Sequence, residues 1–252
     1  MSDWQPQYIS PEAEPAPREK YPFWDYKDLL LFAAAAVPSF LAGALLVRIA
    51  FTALSVQSHG EAPELLAAQF LGYGFWFSAL FIFLRTKYDR PFWKSLAWAS
   101  TGNWGGHAVQ GILLAIGVAA GALFLETPDV DMPIKRLLAN RLSVLLIGLA
   151  AATLGPVCEE LAFRGFLLPL LTRSLGSIPG VILTALPFAL LHGPQYGWSW
   201  RHLLFIVIAG AAFGWKRYKS GSTAAAAMMH AAYNLAFFTA YVLHGKDMPT
   251  KW

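Results

Sequence analysis

Glu159, Glu160 and Arg164 are the only formal charges in the interior of this chain's long apolar runs. A charge at bilayer depth costs at least about 2.5–3.5 kcal/mol, so three together need compensation, and such groups face a bundle interior or a water-filled cavity. Glu160 and Arg164 are four residues apart, share a helix face and can pair. Glu159 is turned by about 100° from Glu160, and at five residues from Arg164 it matches that partner poorly. It is left free to meet something else. Two later pairs use the same spacing, Phe188 with His192 and His230 with Asn234. Each pair projects from one face of its helix.

The chemistry these types suit is hydrolysis. Glu159 can take a proton from water as a general base, and a histidine or Asn234 can hydrogen-bond the oxyanion that forms on a scissile carbonyl. Buried polar groups need partners, and these four can partner one another around water. Blander readings stand beside this one: an interhelical ion pair for the charged triplet, and satisfied core residues for the histidines. Zinc is the main chemical rival, since His, His and Glu are competent ligands. The H-E-x-x-H helix is missing, however, and each histidine sits on its own run. The site is expected to hold no metal. Cys158 adjoins the glutamates without an evident base and is expected to be small, buried core filling.

Long uncharged runs must position these residues. They extend over Leu29–Val47, Leu65–Leu84, Gly105–Leu125 and Leu142–Thr172. Three more follow: one within Ser174–Trp200 ending near His192, a short one over His202–Trp215, and Ser222–Leu243. About 20 residues cross a hydrocarbon core of about 30 Å. The fourth run would be about 46 Å long as one helix, and Gly155 with Pro156 marks the expected kink. The sixth spans only if Arg201, Lys216 and Arg217 snorkel outward. Residues 1–27 form a polar tail with no signal-peptide pattern and no expected cleavage. Its Phe23, Trp24 and Tyr26 are expected to anchor at the interface. Residues 28–244 form the transmembrane core and 245–252 a short tail. His59, His107, His202 and His244 fall near span ends, where solvated or interfacial roles are expected.

Composition agrees with a membrane class. Hydrophobic residues make up 56% of the 252 and charged residues 13%, with a mean hydropathy of +0.46. A soluble domain carries roughly 25% charged residues, so an ordinary soluble enzyme, a disordered chain and a coiled coil are all excluded. One cysteine precludes an internal disulfide framework. The net charge of +4 is scattered and lacks a nucleic-acid-binding cluster. The resulting expectation is an all-α polytopic transmembrane bundle of about seven to eight spans. Lys and Arg in alternate connections favour a cytoplasmic amino terminus.

The segments "EELAFR" (Glu159–Arg164), "FALLH" (Phe188–His192) and "HAAYN" (His230–Asn234) match E-E-x-x-x-R, F-x-x-x-H and H-x-x-x-N in order. In this the chain resembles the CPBP family, which comprises the type II CAAX prenyl endopeptidases and the bacterial Abi-like proteins. The resemblance covers roughly residues 142–240. It implies an intramembrane glutamic-type endopeptidase with a polar chamber open to one membrane face. Glu159 would activate water, His192, His230 and Asn234 would complete the site, and Glu160, Arg164 and Phe188 would support it. Substrates would be membrane-associated proteins or peptides, lipidated or not, with no nucleic acid involved. In a bacterium the location would be the inner membrane. The family's earlier description as metalloproteases keeps a zinc-dependent version open. Two other classes remain: a non-catalytic immunity or scaffold protein of the same fold, and, ranked last, a transporter or proton relay.

Overall fold

Asp25 starts the first helix. Its side chain accepts the backbone N–H groups of Lys27 and Asp28, and Asp28 accepts the N–H of Asp25 in return, a capping box that opens α1 (Tyr26–Ala53). This computed structural model describes residues 20–55, 60–127, 137–138 and 140–244. In it α2 (Ala62–Tyr88) runs antiparallel to α1, because buried Asp28 receives Lys87 and Tyr88 from the far end of α2. Deeper along the pair, Phe32 stacks on Trp76 at 4.3 Å. There a Cβ on Gly43 would stand 2.7 Å from the Gly72 nitrogen. Small residues that let backbones touch are the usual means of packing helices in lipid.

The short α3 (Phe92–Ser95) leads to α4 (Trp104–Phe124). The fourth apolar run is not one straight helix. It divides into α5 (Arg141–Ala152), α6 (Leu154–Glu160), a π-helical segment over Leu161–Leu167, and α7 (Leu168–Leu175). The break falls at Thr153 (φ −133°, ψ −92°), not at the expected Gly155–Pro156. The cause is still Pro156, since a proline ring clashes with the carbonyl four residues back, here that of Ala152, where α5 stops. Pro169 stands in the same relation to Gly165 and cannot donate to its carbonyl. A wider turn relieves the clash, and Leu168 N–H accordingly donates to the Phe163 carbonyl. Such π segments recur at functional sites, and this one follows directly on the two glutamates.

Next come α8 (Ser177–Leu191), capped at His192 as expected, a 3-10 turn over Gly193–Tyr196, α9 (Trp200–Ser220) and α10 (Thr223–His244). Among the described residues, five helices are long and apolar enough to cross a membrane: α1, α2, α4, the Arg141–Leu175 run and α10. The other two expected runs correspond to α8, at 15 residues, and α9. Large apolar side chains such as Leu45, Ile82, Leu123 and Phe124 point outward, as a lipid-facing surface requires. The chain is a multi-pass all-α membrane protein.

Three expectations about charged and aromatic residues need correction. Arg217 does not snorkel outward. It is 7% exposed and donates from Nε to Thr223 Oγ1 (3.0 Å) and from Nη2 to the Tyr21 hydroxyl (3.1 Å), oxygens that draw the guanidinium inward. His107 is buried, not solvated, and its Nε2 bonds the Thr101 hydroxyl. Trp24 is no interface anchor. It is fully buried, lies flat on Phe166 at 4.8 Å, and donates its Nε1–H to the Phe166 carbonyl at 3.1 Å inside the π segment. The stretch before α1 is therefore fastened to the helix that carries the glutamates. His59, most of the 126–141 connection, residues 1–19 and residues 245–252 lie outside the described residues. Trp24→Ala removes both the packing and the hydrogen bond and is expected to destabilise the fold by about 3–5 kcal/mol. Thermal unfolding in detergent measures this.

Candidate active site

Glu159 and Glu160 end α6, and the geometry separates their tasks. Glu160 and Arg164 are both fully buried, with Arg164 Nη1 donating to Glu160 Oε1 at 2.8 Å. The same oxygen takes His230 Nδ1–H at 3.0 Å. A carboxylate held by arginine only accepts, so His230 carries a proton on Nδ1 and turns its Nε2 to the other side. That Nε2 stands 3.8 Å from Glu159 Oε2. His192 reaches the same oxygen from α8, with Nε2 at 4.0 Å. Its Nδ1 is 2.7 Å from the Phe188 carbonyl. A carbonyl cannot donate, so here too a proton sits on Nδ1. Two imidazole Nε2 atoms and one carboxylate oxygen thus converge from three helices. The separations exceed a hydrogen bond but suit one bridging water, placed off each line at about 2.8 Å from both partners. Glu159 and His192 keep about a fifth of their side-chain surface accessible, whereas Glu160 keeps none.

Phe188 and Gly210 hold this arrangement in place. The Arg164 guanidinium lies 4.5 Å over the Phe188 ring and donates from Nη2 to the Gly210 carbonyl at 2.7 Å. Phe188 also meets His230 edge-on at 5.7 Å. A Cβ on Gly210 would come within 3.1 Å of Phe188 and 3.2 Å of Arg164 Nη2, with both neighbours buried and engaged. Gly210→Ala is expected to cost about 1–3 kcal/mol through overpacking, read from denaturation of the purified protein.

Asn234 departs from the sequence picture. It sits one turn beyond His230 on α10, but its Nδ2 donates to the Ala151 carbonyl at 2.8 Å. It thereby ties α10 to the last turn of α5 and keeps a second amide hydrogen outside that bond. Cys158 is only half-buried and not wholly in the core. Among the described residues, no three His, Cys, Asp or Glu side chains are spaced to share a metal ion. The 3.8 and 4.0 Å separations exceed the edge of about 3.3 Å that tetrahedral zinc imposes on its ligands, so the donor set as placed does not fit zinc.

Residues 141–236 match the family model described as type II CAAX prenyl endopeptidase Rce1-like. That segment, less than half of the chain, is similar to the Rce1-like family. No curated protein and no solved structure matches the chain. The matched Rce1-like segment runs from the start of α5 to just past Asn234 and contains all three motifs.

Two residues near the candidate site escaped the sequence reading. Phe213 stacks on His230 at 4.5 Å. It lies, with Gly210, in the small-residue stretch "AGAAFG" of α9, a composition that suits close helix packing. Tyr196, in the turn after His192, has its hydroxyl pKa raised by burial and then by the charge of Glu159. The only sequence signal was "GPQYG", whose Gly and Pro read as a helix stop.

Proposed function

We propose that the chain is an intramembrane glutamic-type endopeptidase that cuts membrane-associated protein or peptide substrates, lipidated or not. The observation that carries this is the meeting of Glu159 Oε2 with His192 Nε2 and His230 Nε2 at water-bridging distance. Glu159 takes a proton from the water, and the hydroxide oxygen bonds to the scissile carbonyl carbon. The oxyanion is met by the second amide hydrogen of Asn234 or by a histidine. The C–N bond breaks, Glu159 returns the proton to the leaving nitrogen, and a carboxylic acid and an amine depart. Glu160, locked by Arg164, fixes the orientation and tautomer of His230. The positive-inside pattern favours an amino terminus on the cytoplasmic side.

The test is quantitative proteomics of membranes from cells carrying wild type or Glu159→Gln. Peptides or proteins that accumulate uncut only with the variant support the reading and name the substrate class. Identical profiles, with the phenotype retained in the variant, would show a non-catalytic partner instead. Cleavage by the purified protein is expected to persist in strong chelator. Loss that zinc restores would overturn the metal-free mechanism.

A further inference from the structure

At one end of the bundle the segment before α1 meets the ends of α7 and α9 and the start of α8. A cavity of about 410 Å³ opens there, lined by Tyr21, Pro22, Arg173, Gly176, Ser177 and Arg217, among others. Arg217 is buried, and its two partners, Thr223 Oγ1 and the Tyr21 hydroxyl, are both neutral. Arg173 donates only to the Pro22 carbonyl, also neutral. Among the described residues neither arginine pairs with a carboxylate, so two guanidinium charges adjoin one cavity without a counter-charge. Arg217, removed from water in this way, calls for a compensating partner, and the exposed Arg173 adds a second positive charge beside it.

Two further observations define that partner. The first turn of α8 begins on the cavity wall at Gly176 and Ser177 with no side-chain cap. Its free N–H groups and the positive end of its dipole add to the arginines. The rim is apolar: Leu168 and Pro169 line the cavity, while Leu175 and Ile178 stand exposed beside it. This end of the bundle also holds Lys87, Lys94 and Lys219, on the last turns of α2, α3 and α9. A cationic pocket with a greasy rim, at the basic end of a transmembrane bundle, is matched by a phosphate that carries acyl chains.

We propose that this cavity binds the phosphate of an anionic membrane lipid. Because Trp24 and Arg173 bind the same stretch before α1 to the π segment and α7, the lipid would brace the segment that follows Glu159 and Glu160.

The test is binding, independent of any cleavage. The purified full chain is titrated with phosphatidylglycerol or phosphatidylcholine, and retained lipid is counted by native mass spectrometry. Wild type is expected to hold one phosphatidylglycerol roughly tenfold more tightly than phosphatidylcholine, and Arg173→Gln to weaken it about fivefold. Arg217→Gln should weaken it further. Arg173 is exposed, so its variant keeps the test valid if the Arg217 variant does not fold. Equal retention of the two lipids by wild type, or unchanged retention by Arg173→Gln, would overturn the proposal. Inorganic phosphate binding as tightly as phosphatidylglycerol, and displacing it, would mean a soluble phosphate ligand and would also overturn it.

Discussion

Glu159→Gln is expected to lower peptide-bond cleavage by about 10²–10⁴-fold, the range that a positioned general base supplies, while leaving the unfolding temperature nearly unchanged. Both halves follow from the geometry. Among the described residues the carboxylate makes no hydrogen bond, its nearest imidazole nitrogens standing 3.8 and 4.0 Å away. An amide of the same shape therefore breaks nothing that holds the fold together. What it loses is the ability to accept a proton from water. Steady-state turnover of a cleaved peptide, measured beside a thermal melt of the same preparation, separates the two effects. A variant with wild-type turnover would remove Glu159 from the mechanism.

Arg164→Ala should do the reverse, with its larger effect on the fold. It leaves Glu160 charged, fully buried and held only by His230, and it empties the space over Phe188. Removing one partner of a buried pair costs about 3–5 kcal/mol. Arg164→Lys should rescue little, since a point charge cannot serve Glu160 and the Gly210 carbonyl as the planar guanidinium does. The informative companion is the double change Glu160→Leu with Arg164→Met. Replacing a buried ion pair by apolar groups of similar volume is often neutral or stabilising, so stability should return. Turnover should stay low, because His230 then has no carboxylate to fix its Nδ1 proton. Denaturation midpoints and single-turnover rates on the same four proteins check this. A double variant that regained activity would show that Glu160 and Arg164 serve the fold alone.

The sequence made the centre legible because its logic is local. Four-residue spacing puts Glu160 with Arg164, and the leftover rotation frees Glu159, whatever the rest of the bundle does. Proline chemistry was also readable, but its effect lies one turn ahead of the residue. Pro156 ends α5 at Ala152, and Pro169 loosens the turn around Gly165. Trp24 could not be placed from its neighbours. An aromatic just before an apolar run has the signature of an interface anchor, and only the distant Phe166 carbonyl shows otherwise. Arg217 misled for the same reason: its partners Tyr21 and Thr223 are brought to it by helix ends far apart in the chain or by a tight turn. Gly210 and Phe213 looked like packing, and they do pack, but against Arg164 and His230.

The most direct measurement is an experimental structure of the protein in a lipid nanodisc, at a resolution that shows ordered water. The account predicts one water within hydrogen-bond distance of Glu159 Oε2 and of both imidazole Nε2 atoms, with Glu160 clasped by Arg164 behind them. A Glu159 carboxylate turned toward acyl chains, or a metal ion at the point where the three side chains meet, would contradict it.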